Sequence, residues 1–165
     1  MESCALLEIA VLVTDGRLER VLEGPDLVIH QSEAVLAGMN EWCVSHHGKS
    51  GLTERVRSSK VSLQEAEEAV LSFVARHTVA GHAQLAGNSV HCDLGFLRRY
   101  MPRLAAHLHY RIVDVSSVRE LAKRWYPAEM RKAPRKACEH TAKADILESL
   151  DELRWLRRTV FKPVR

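Results

Sequence analysis

Short apolar segments that favour β-strands alternate along the chain with longer segments whose apolar residues recur at helical spacing. The first strand candidate covers residues 6–13, and Asp15-Gly16 directly after it predicts a tight turn into a second strand. Residues 84–88 and 110–115 have the same short, apolar character, whereas apolar side chains recur at helical intervals over residues 142–157. Strands that alternate with helices in this way predict a mixed α/β fold, with helices on both faces of the sheet.

Helix start signals occur between the strand candidates. Three places carry them, the last two as capping boxes: Ser32, Ser62 with Glu65, and Ser117 with Glu120. The helix after Ser32 is predicted to reach about residue 46. Pro102 is predicted to weaken or end the helix that starts at residue 94.

Length and composition are those of one ordinary domain. The chain has 165 residues, 46% hydrophobic and 27% charged, and we expect a single domain over residues 1–165. No apolar run approaches the roughly 18 residues of a membrane span, so we expect no membrane partner. The four cysteines form no C-x-x-C pair and the first residues resemble no leader peptide, which predicts an intracellular, reducing compartment. The net charge of +3 permits an anionic partner without requiring one.

Two acids and a histidine stand at the ends of predicted elements. Asp93 follows the third strand and precedes a helix, and His140 and Asp145 lie around the start of the final helix. Residues five apart on a regular helix are about 140° apart, so His140 reaches a site lined by Asp145 only from the preceding turn. Position alone leaves two interpretations open: catalytic groups, or an N-cap at Asp93 and a favourable helix-end charge at Asp145.

Five motifs, in order, resemble oligoribonuclease, the 3′-to-5′ exonuclease of small RNAs in the DEDDh group. They are WCVSHHGKSGL (residues 42–52), GNSVHCD (87–93), FLRRYMP (96–102), HYRIVDVS (109–116) and ELAKRWYP (120–127). The resemblance runs from Leu6 to about Phe161. It implies an RNase H-like fold and a homodimer that degrades very short RNA to mononucleotides.

The resemblance also implies a metal site. Two divalent ions, Mg²⁺ or Mn²⁺, are held by carboxylates in the family, which suits hard cations. Such a metal pair activates the attacking water and stabilises the leaving oxygen. By motif match, Asp93 and Asp145 are metal ligands and His140 is the general base.

Substrate-holding residues follow from the same resemblance. Trp42 and either His46 or His47 match the side chains that flank the bases, since aromatic stacking accepts any base. Ser89, Arg111 and Ser116 match positions that cap the 5′ phosphate, with Tyr110 and Arg111 reaching in from the partner subunit. Without the resemblance, Trp42 could equally be a core residue and Arg111 a solvated surface charge.

The sequence departs from the family pattern in two places. The Asp-x-Glu motif of the opening strand, which supplies two of the four carboxylates, is missing, and Glu8 matches a different glutamate. We therefore expect an incomplete metal site and a sheet without its first, central strand, between the ribbon and the strand at Leu85. Before Asp145, a family acid is replaced by Ala144, and Lys143 brings a positive charge near a cation site.

These departures leave several hypotheses. The first is an exoribonuclease with two-metal hydrolysis. The alternative is a catalytically impaired short form that binds small RNA oligonucleotides or modulates a full-length partner. A third is a chain whose upstream residues are lost through truncation or a misassigned start. For all three we expect a cytoplasmic or mitochondrial location.

Overall fold

An antiparallel ribbon opens the fold in the computed structural model, which describes residues 5–134 and 141–162. β1 (Glu8–Thr14) pairs with β2 (Val21–Val28), and the register shifts once, between Ala10 and Leu12. The two predicted strands of this ribbon are confirmed. The apolar side chains of β1 pack against the main core from one side of the ribbon.

The turn between these strands is longer than the tight turn predicted at Asp15-Gly16. The Asp15 carboxylate accepts the backbone N–H groups of Glu19 and Arg20, at 2.9 and 3.3 Å. The left-handed backbone conformation belongs to Leu18, with φ of 61°, and not to Gly16. The side chain of Asp15 therefore organises the turn in place of the backbone freedom of glycine.

Four helices follow the ribbon: α1 (Glu33–Ala37), α2 (Glu41–Lys49), α3 (Leu52–Ser58) and α4 (Leu63–His77). The single helix predicted from Ser32 to about residue 46 is wrong, because the chain ends α1 at Gly38 and Asn40 caps a new helix by accepting the N–H of Cys43. The capping box of Ser62 and Glu65 at the start of α4 is confirmed.

The second half of the fold alternates two short strands with five helices in the described residues. Its elements are β3 (Leu85–Gly87), α5 (His91–Tyr100), α6 (Pro102–His107), β4 (Ile112–Asp114), α7 (Val115–Trp125), α8 (Pro127–Met130) and α9 (Ala142–Thr159). Pro102 begins α6 at its first position, where a missing N–H is harmless, as well as ending α5. The capping box predicted at Ser117 is wrong, because Asp114 caps α7 through the N–H of Ser116.

The mixed α/β fold predicted from the sequence is confirmed, and its strands form two separate sheets. β1 pairs with β2 antiparallel, and β3 pairs with β4 parallel; between residues 5 and 134 and from 141 to 162 no strand joins the two sheets. α9 packs against both β1 and β3 and bridges the sheets. The expectation of a sheet lacking the strand between β1 and β3 agrees with this arrangement.

The main hydrophobic core lies between the ribbon, α4 and the α5–α6 pair. Ile29, Val70 and Met101 are fully buried there, at 1% exposure or less. A smaller cluster joins α7 to α9 around Val115 and Leu156. No helix in the described part of the chain has the length and apolar character needed to cross a membrane.

Candidate functional site

The parallel pairing of β3 with β4 brings the carboxyl ends of the two strands side by side. Gly87 lies opposite Asp114, so the residues that follow each strand meet at one edge of the sheet. The edge beyond the carboxyl ends of parallel strands is where α/β folds place their ligand sites. Here that edge holds Ser89 from the loop after β3 and Ser116 from the first turn of α7.

Ser89 and Ser116 form a close pair of hydroxyl groups. The N–H of Ser89 donates to Ser116 Oγ at 3.0 Å and to Asp114 Oδ1 at 3.1 Å, and the two hydroxyl oxygens lie 3.3 Å apart. Ser89 has a φ of 52°, a left-handed conformation that is uncommon outside glycine. The hydrogen bonds that its N–H donates hold the residue in this conformation and bring the two predicted phosphate-binding serines together.

Asp114 organises this edge, although its sequence position predicts only a strand residue. Its carboxylate accepts hydrogen bonds from the N–H groups of Ser89 and Ser116 and lies 3.3 Å from Nδ1 of His91. Burial opposes its ionisation, but these hydrogen bonds outweigh burial and lower the pKa of the Asp114 carboxyl. Asp114 is therefore an anion that anchors the loop after β3.

An open depression of about 480 Å³ adjoins the serine pair. Its walls come from the loop after β3, the start of α5, the end of β4 and one face of α7. They carry side chains of both charge signs: Ser89, His91, Asp114, Ser116, Ser117, Glu120, Leu121 and Arg124. Tyr110 and Arg111, the other predicted phosphate-binding residues, are not among these wall residues.

Tyr110 and Arg111 instead form an exposed stack before β4. The Tyr110 ring lies 4.5 Å from the His109 ring, and the Arg111 guanidinium lies 5.2 Å from the Tyr110 centroid. Tyr110 is 72% exposed. An exposed aromatic and cation of this kind are available to another molecule.

Trp42, His46 and His47 form an aromatic cluster on α2. The Trp42 and His46 rings stack 4.6 Å apart at an interplanar angle of 8°, and His47 meets Trp42 edge-on at 6.5 Å. Burial, and then the neighbouring His46, lower the pKa of His47, whereas Glu8 opposes the shift. Trp42 is 66% exposed, so the core alternative for Trp42 is wrong and its ring is free to take a further stacking partner.

The predicted metal ligands lie in the first turns of two helices. Asp93 is the third residue of α5, where desolvation raises the pKa of its carboxyl, and Asp145 is the fourth residue of α9. Their carboxylate oxygens suit a hard divalent cation. However, over residues 5–134 and 141–162 no three His, Cys, Asp or Glu side chains are grouped closely enough to hold a metal. The described residues therefore supply two carboxylate donors but do not complete a donor set for a metal pair, and His140, the predicted base, lies outside them.

Glu8 and Lys143 both contact the region around the start of α9. The Glu8 side chain, 7% exposed, accepts the N–H of Ala142 at 3.2 Å and pairs with Arg55 at 3.2 Å. Lys143 pairs with Glu23 of β2 at 2.8 Å. The positive charge that was expected to oppose a cation is therefore balanced by a carboxylate of the ribbon. Glu8 was missed as a tether because its partners are distant in sequence.

A family comparison gives the class of protein to which this fold and site belong. Residues 2–153 match the family model described as Exonuclease. The mixed α/β architecture agrees with the RNase H-like fold expected of that class. The chain is thus a member of the exonucleases.

Individual relatives narrow the class. The chain is 55% identical to the probable oligoribonuclease of Dictyostelium discoideum over 95% of this chain and 82% of the relative. It is 51% identical to the mitochondrial oligoribonuclease of Homo sapiens, over 98% of this chain and 68% of the relative, and 51% identical to the oligoribonuclease of Corynebacterium glutamicum (strain R), over 94% and 72%. The chain belongs to the oligoribonuclease family.

Proposed function

We propose that this chain is a 3′-to-5′ exoribonuclease of the DEDDh group, which degrades very short RNA to mononucleotides. The observation that carries the proposal is the pair Ser89 and Ser116, held together at the carboxyl ends of two parallel strands. A serine hydroxyl, held in place by its neighbour and facing an open depression, suits a terminal 5′ phosphate. A site that holds the 5′ end limits the length of RNA that also reaches the scissile bond.

The bases would stack on the α2 cluster. The exposed Trp42 ring, supported by His46, offers a flat face that accepts any base, at about 1–3 kcal/mol per stacked base. Such a contact holds a dinucleotide without selecting its sequence.

The hydrolytic step would use Asp93, Asp145 and His140. We assign the two aspartates as oxygen donors to a divalent cation, Mg²⁺ or Mn²⁺, and His140 as the base that accepts a proton from water. Because the described residues do not complete a donor set for two ions, no step is assigned to the cation.

The test is hydrolysis of a 5′-labelled, 5′-phosphorylated triribonucleotide with Mn²⁺. A 3′-to-5′ exonuclease releases labelled dinucleotide first and labelled mononucleotide later. His140→Ala should reduce the rate by about 10²–10⁴-fold, the usual contribution of a general base. Asp93→Ala and Asp145→Ala should also abolish turnover, whereas Asp151→Asn, which changes an exposed acid on the same helix, should leave it intact.

A second candidate is an oligonucleotide-binding protein without turnover. The observation in its favour is that no three potential metal-ligating side chains lie together among residues 5–134 and 141–162. Binding of the trinucleotide without any product, at every Mn²⁺ concentration, would establish this alternative and reject the exonuclease.

We further propose that the protein is a homodimer of single-domain subunits, located in the cytoplasm or the mitochondrion. The exposed Tyr110 and Arg111 would then complete the phosphate site of the partner subunit. Sedimentation equilibrium checks the dimer: a mass near 18.6 kDa at all concentrations would contradict it.

A further inference from the structure

Asn88 lies between the end of β3 and Ser89, and its side chain connects three parts of the fold. Its Oδ1 accepts the hydroxyl of Ser116 at 3.2 Å. Its Nδ2 donates to Ser149 Oγ at 3.0 Å and to Glu152 Oε2 at 3.1 Å, both on α9. Both ends of the amide are therefore used, and a carboxamide is the side-chain group that supplies an acceptor and two N–H donors together.

These contacts fix the direction of the hydroxyl groups. Ser116 has one hydroxyl hydrogen, and it points to Asn88, so Ser116 Oγ faces Ser89 as an acceptor for the Ser89 N–H. The Ser89 hydroxyl, 3.3 Å from Ser116 Oγ, is then the member of the pair that can turn and donate to a phosphate. On the other side, Ser149 accepts from Asn88 and donates to the carbonyl of Asp145 at 2.8 Å. A continuous chain of hydrogen bonds thus runs from Ser89 to the backbone of Asp145.

Glu152 anchors this chain. Its side chain is 12% exposed, and its Oε1 lies 3.0 Å from the Arg119 guanidinium of α7. The carboxylate therefore joins α9 to α7 and to the loop after β3. A shielded, charged acceptor also makes the hydrogen bond from Asn88 stronger than one between neutral groups.

We propose that Asn88, anchored by Glu152, is a positioning residue that orients the Ser116 hydroxyl and holds the serine pair in register with the helix that carries Asp145. The inference rests on the proposed function, since it assumes that Ser89 and Ser116 receive the 5′ phosphate. Asn88 itself is turned toward α9 and acts through the serines.

The test compares two diribonucleotides that differ only in the 5′ phosphate, with binding measured by calorimetry in EDTA. Asn88→Ala should weaken binding of the phosphorylated probe about tenfold, the effect of one well-oriented hydrogen bond. Binding of the 5′-hydroxyl probe should stay unchanged. A merely structural defect would weaken both probes equally, so the ratio of the two dissociation constants separates positioning from folding.

Exchanging the amide of Asn88 and the carboxylate of Glu152 gives a second, independent measurement of the preference for the phosphorylated probe. Asn88→Asp places two carboxylates against each other and should abolish the preference for the 5′ phosphate. Adding Glu152→Gln to the same chain supplies an N–H donor opposite the new carboxylate and should restore most of the preference. Asp151→Asn is the matched control, because it removes a charge from the adjacent, 72% exposed position, and it should not rescue Asn88→Asp.

The outcomes separate the two proposals. A wild-type chain that binds both probes equally would reject the phosphate site itself. A wild-type preference that survives in Asn88→Ala, or a folded double variant that recovers nothing, would overturn the role of Asn88 while leaving the phosphate site standing. If Asn88→Ala fails to fold, the double variant alone decides the question.

Discussion

Gly24 of β2 packs directly against the aromatic ring of Phe73 on α4. A Cβ atom added at Gly24 would lie 2.5 Å from Cε1 of Phe73 and 2.7 Å from Cγ1 of Val11. Phe73 is buried, and its neighbours leave it little freedom to move aside. The missing side chain of Gly24 therefore lets the ribbon approach the helix.

Gly24→Ala should accordingly destabilise the protein by about 1–3 kcal/mol, the usual cost of overpacking a core. Urea unfolding followed by circular dichroism measures the change. Gly16→Ala is the matched control, because no atom lies within 4 Å of a Cβ added there, and it should change stability by less than about 0.5 kcal/mol. Equal effects of the two substitutions would contradict the contact with Phe73.

A local motif is enough to single out a residue, although its role in the site stays a prediction. The run GNSVHCD identified Ser89 as a site residue, and the structure places Ser89 beside Ser116. Asp114 was missed because its function depends on the pairing of β4 with a strand more than twenty residues upstream. The sequence likewise did not decide whether Trp42 is exposed, since helical spacing does not tell which face of α2 meets solvent.

Among the helices, α6 depends on a side chain far away in the sequence. The Glu67 carboxylate of α4 accepts the N–H groups of Arg103 and Leu104, at 2.8 and 3.2 Å. Glu67 is 7% exposed, so these bonds are shielded from water. Met101, the residue before α6, makes no side-chain cap. The Glu67 carboxylate therefore supplies the hydrogen-bond acceptor for the first N–H groups of α6.

We expect Glu67→Ala to cost about 1–3 kcal/mol, because one buried and one partly buried N–H group lose their acceptor. Glu67→Gln keeps a carbonyl oxygen in place and should cost clearly less. Thermal unfolding of both variants measures the difference. If Glu67→Gln were as damaging as Glu67→Ala, the carboxylate would be needed for its charge rather than as an acceptor.

Local chemistry explains which elements were predicted. Ser62 and Glu65 satisfy each other within one turn, so their capping box can be identified from sequence alone. At α7 the same spacing misleads, because Asp114 already caps the helix from one turn earlier. α3 was not predicted at all, since the residue before it is Gly51, and a glycine in the sequence indicates a loop.

For the molecule as a whole, α9 holds the two sheets together. Besides packing on β1 and β3, it fastens the turn of the ribbon: Arg154 donates to the carbonyl of Leu18 from Nε and Nη2, at 2.8 and 2.7 Å. Arg157 donates to the carbonyl of Arg17. These bonds join residues about 140 positions apart.

Arg154→Ala should therefore make the turn between β1 and β2 more mobile. We expect a loss of about 1.5–3 kcal/mol in the free energy of unfolding, since hydrogen bonds from a charged group are removed. Amide hydrogen exchange at residues 15–20 should become faster than in the wild type. Arg158→Ala, at an exposed position on the same helix turn, should change neither quantity; protection that is unchanged in Arg154→Ala would show that the bond is dispensable.

The overall class of the fold was predictable, but its division into two sheets needed more than periodicity. Residues 6–13 and 84–88 have apolar patterns that predict strands, and both form them. Which strands pair is a question of contacts between distant segments, and for that the family resemblance, with its missing Asp-x-Glu strand, was the informative signal.

The bridging position of α9 also affects how the chain folds during synthesis. The ribbon leaves the ribosome early, whereas its partner helix starts at Ala142, which follows on the order of 10 s later at about 5–20 residues per second. During this interval the nascent ribbon has neither the α9 contact nor the tether from Arg154. A free strand edge pairs readily with other chains, so the nascent ribbon is open to such pairing until α9 has been synthesised.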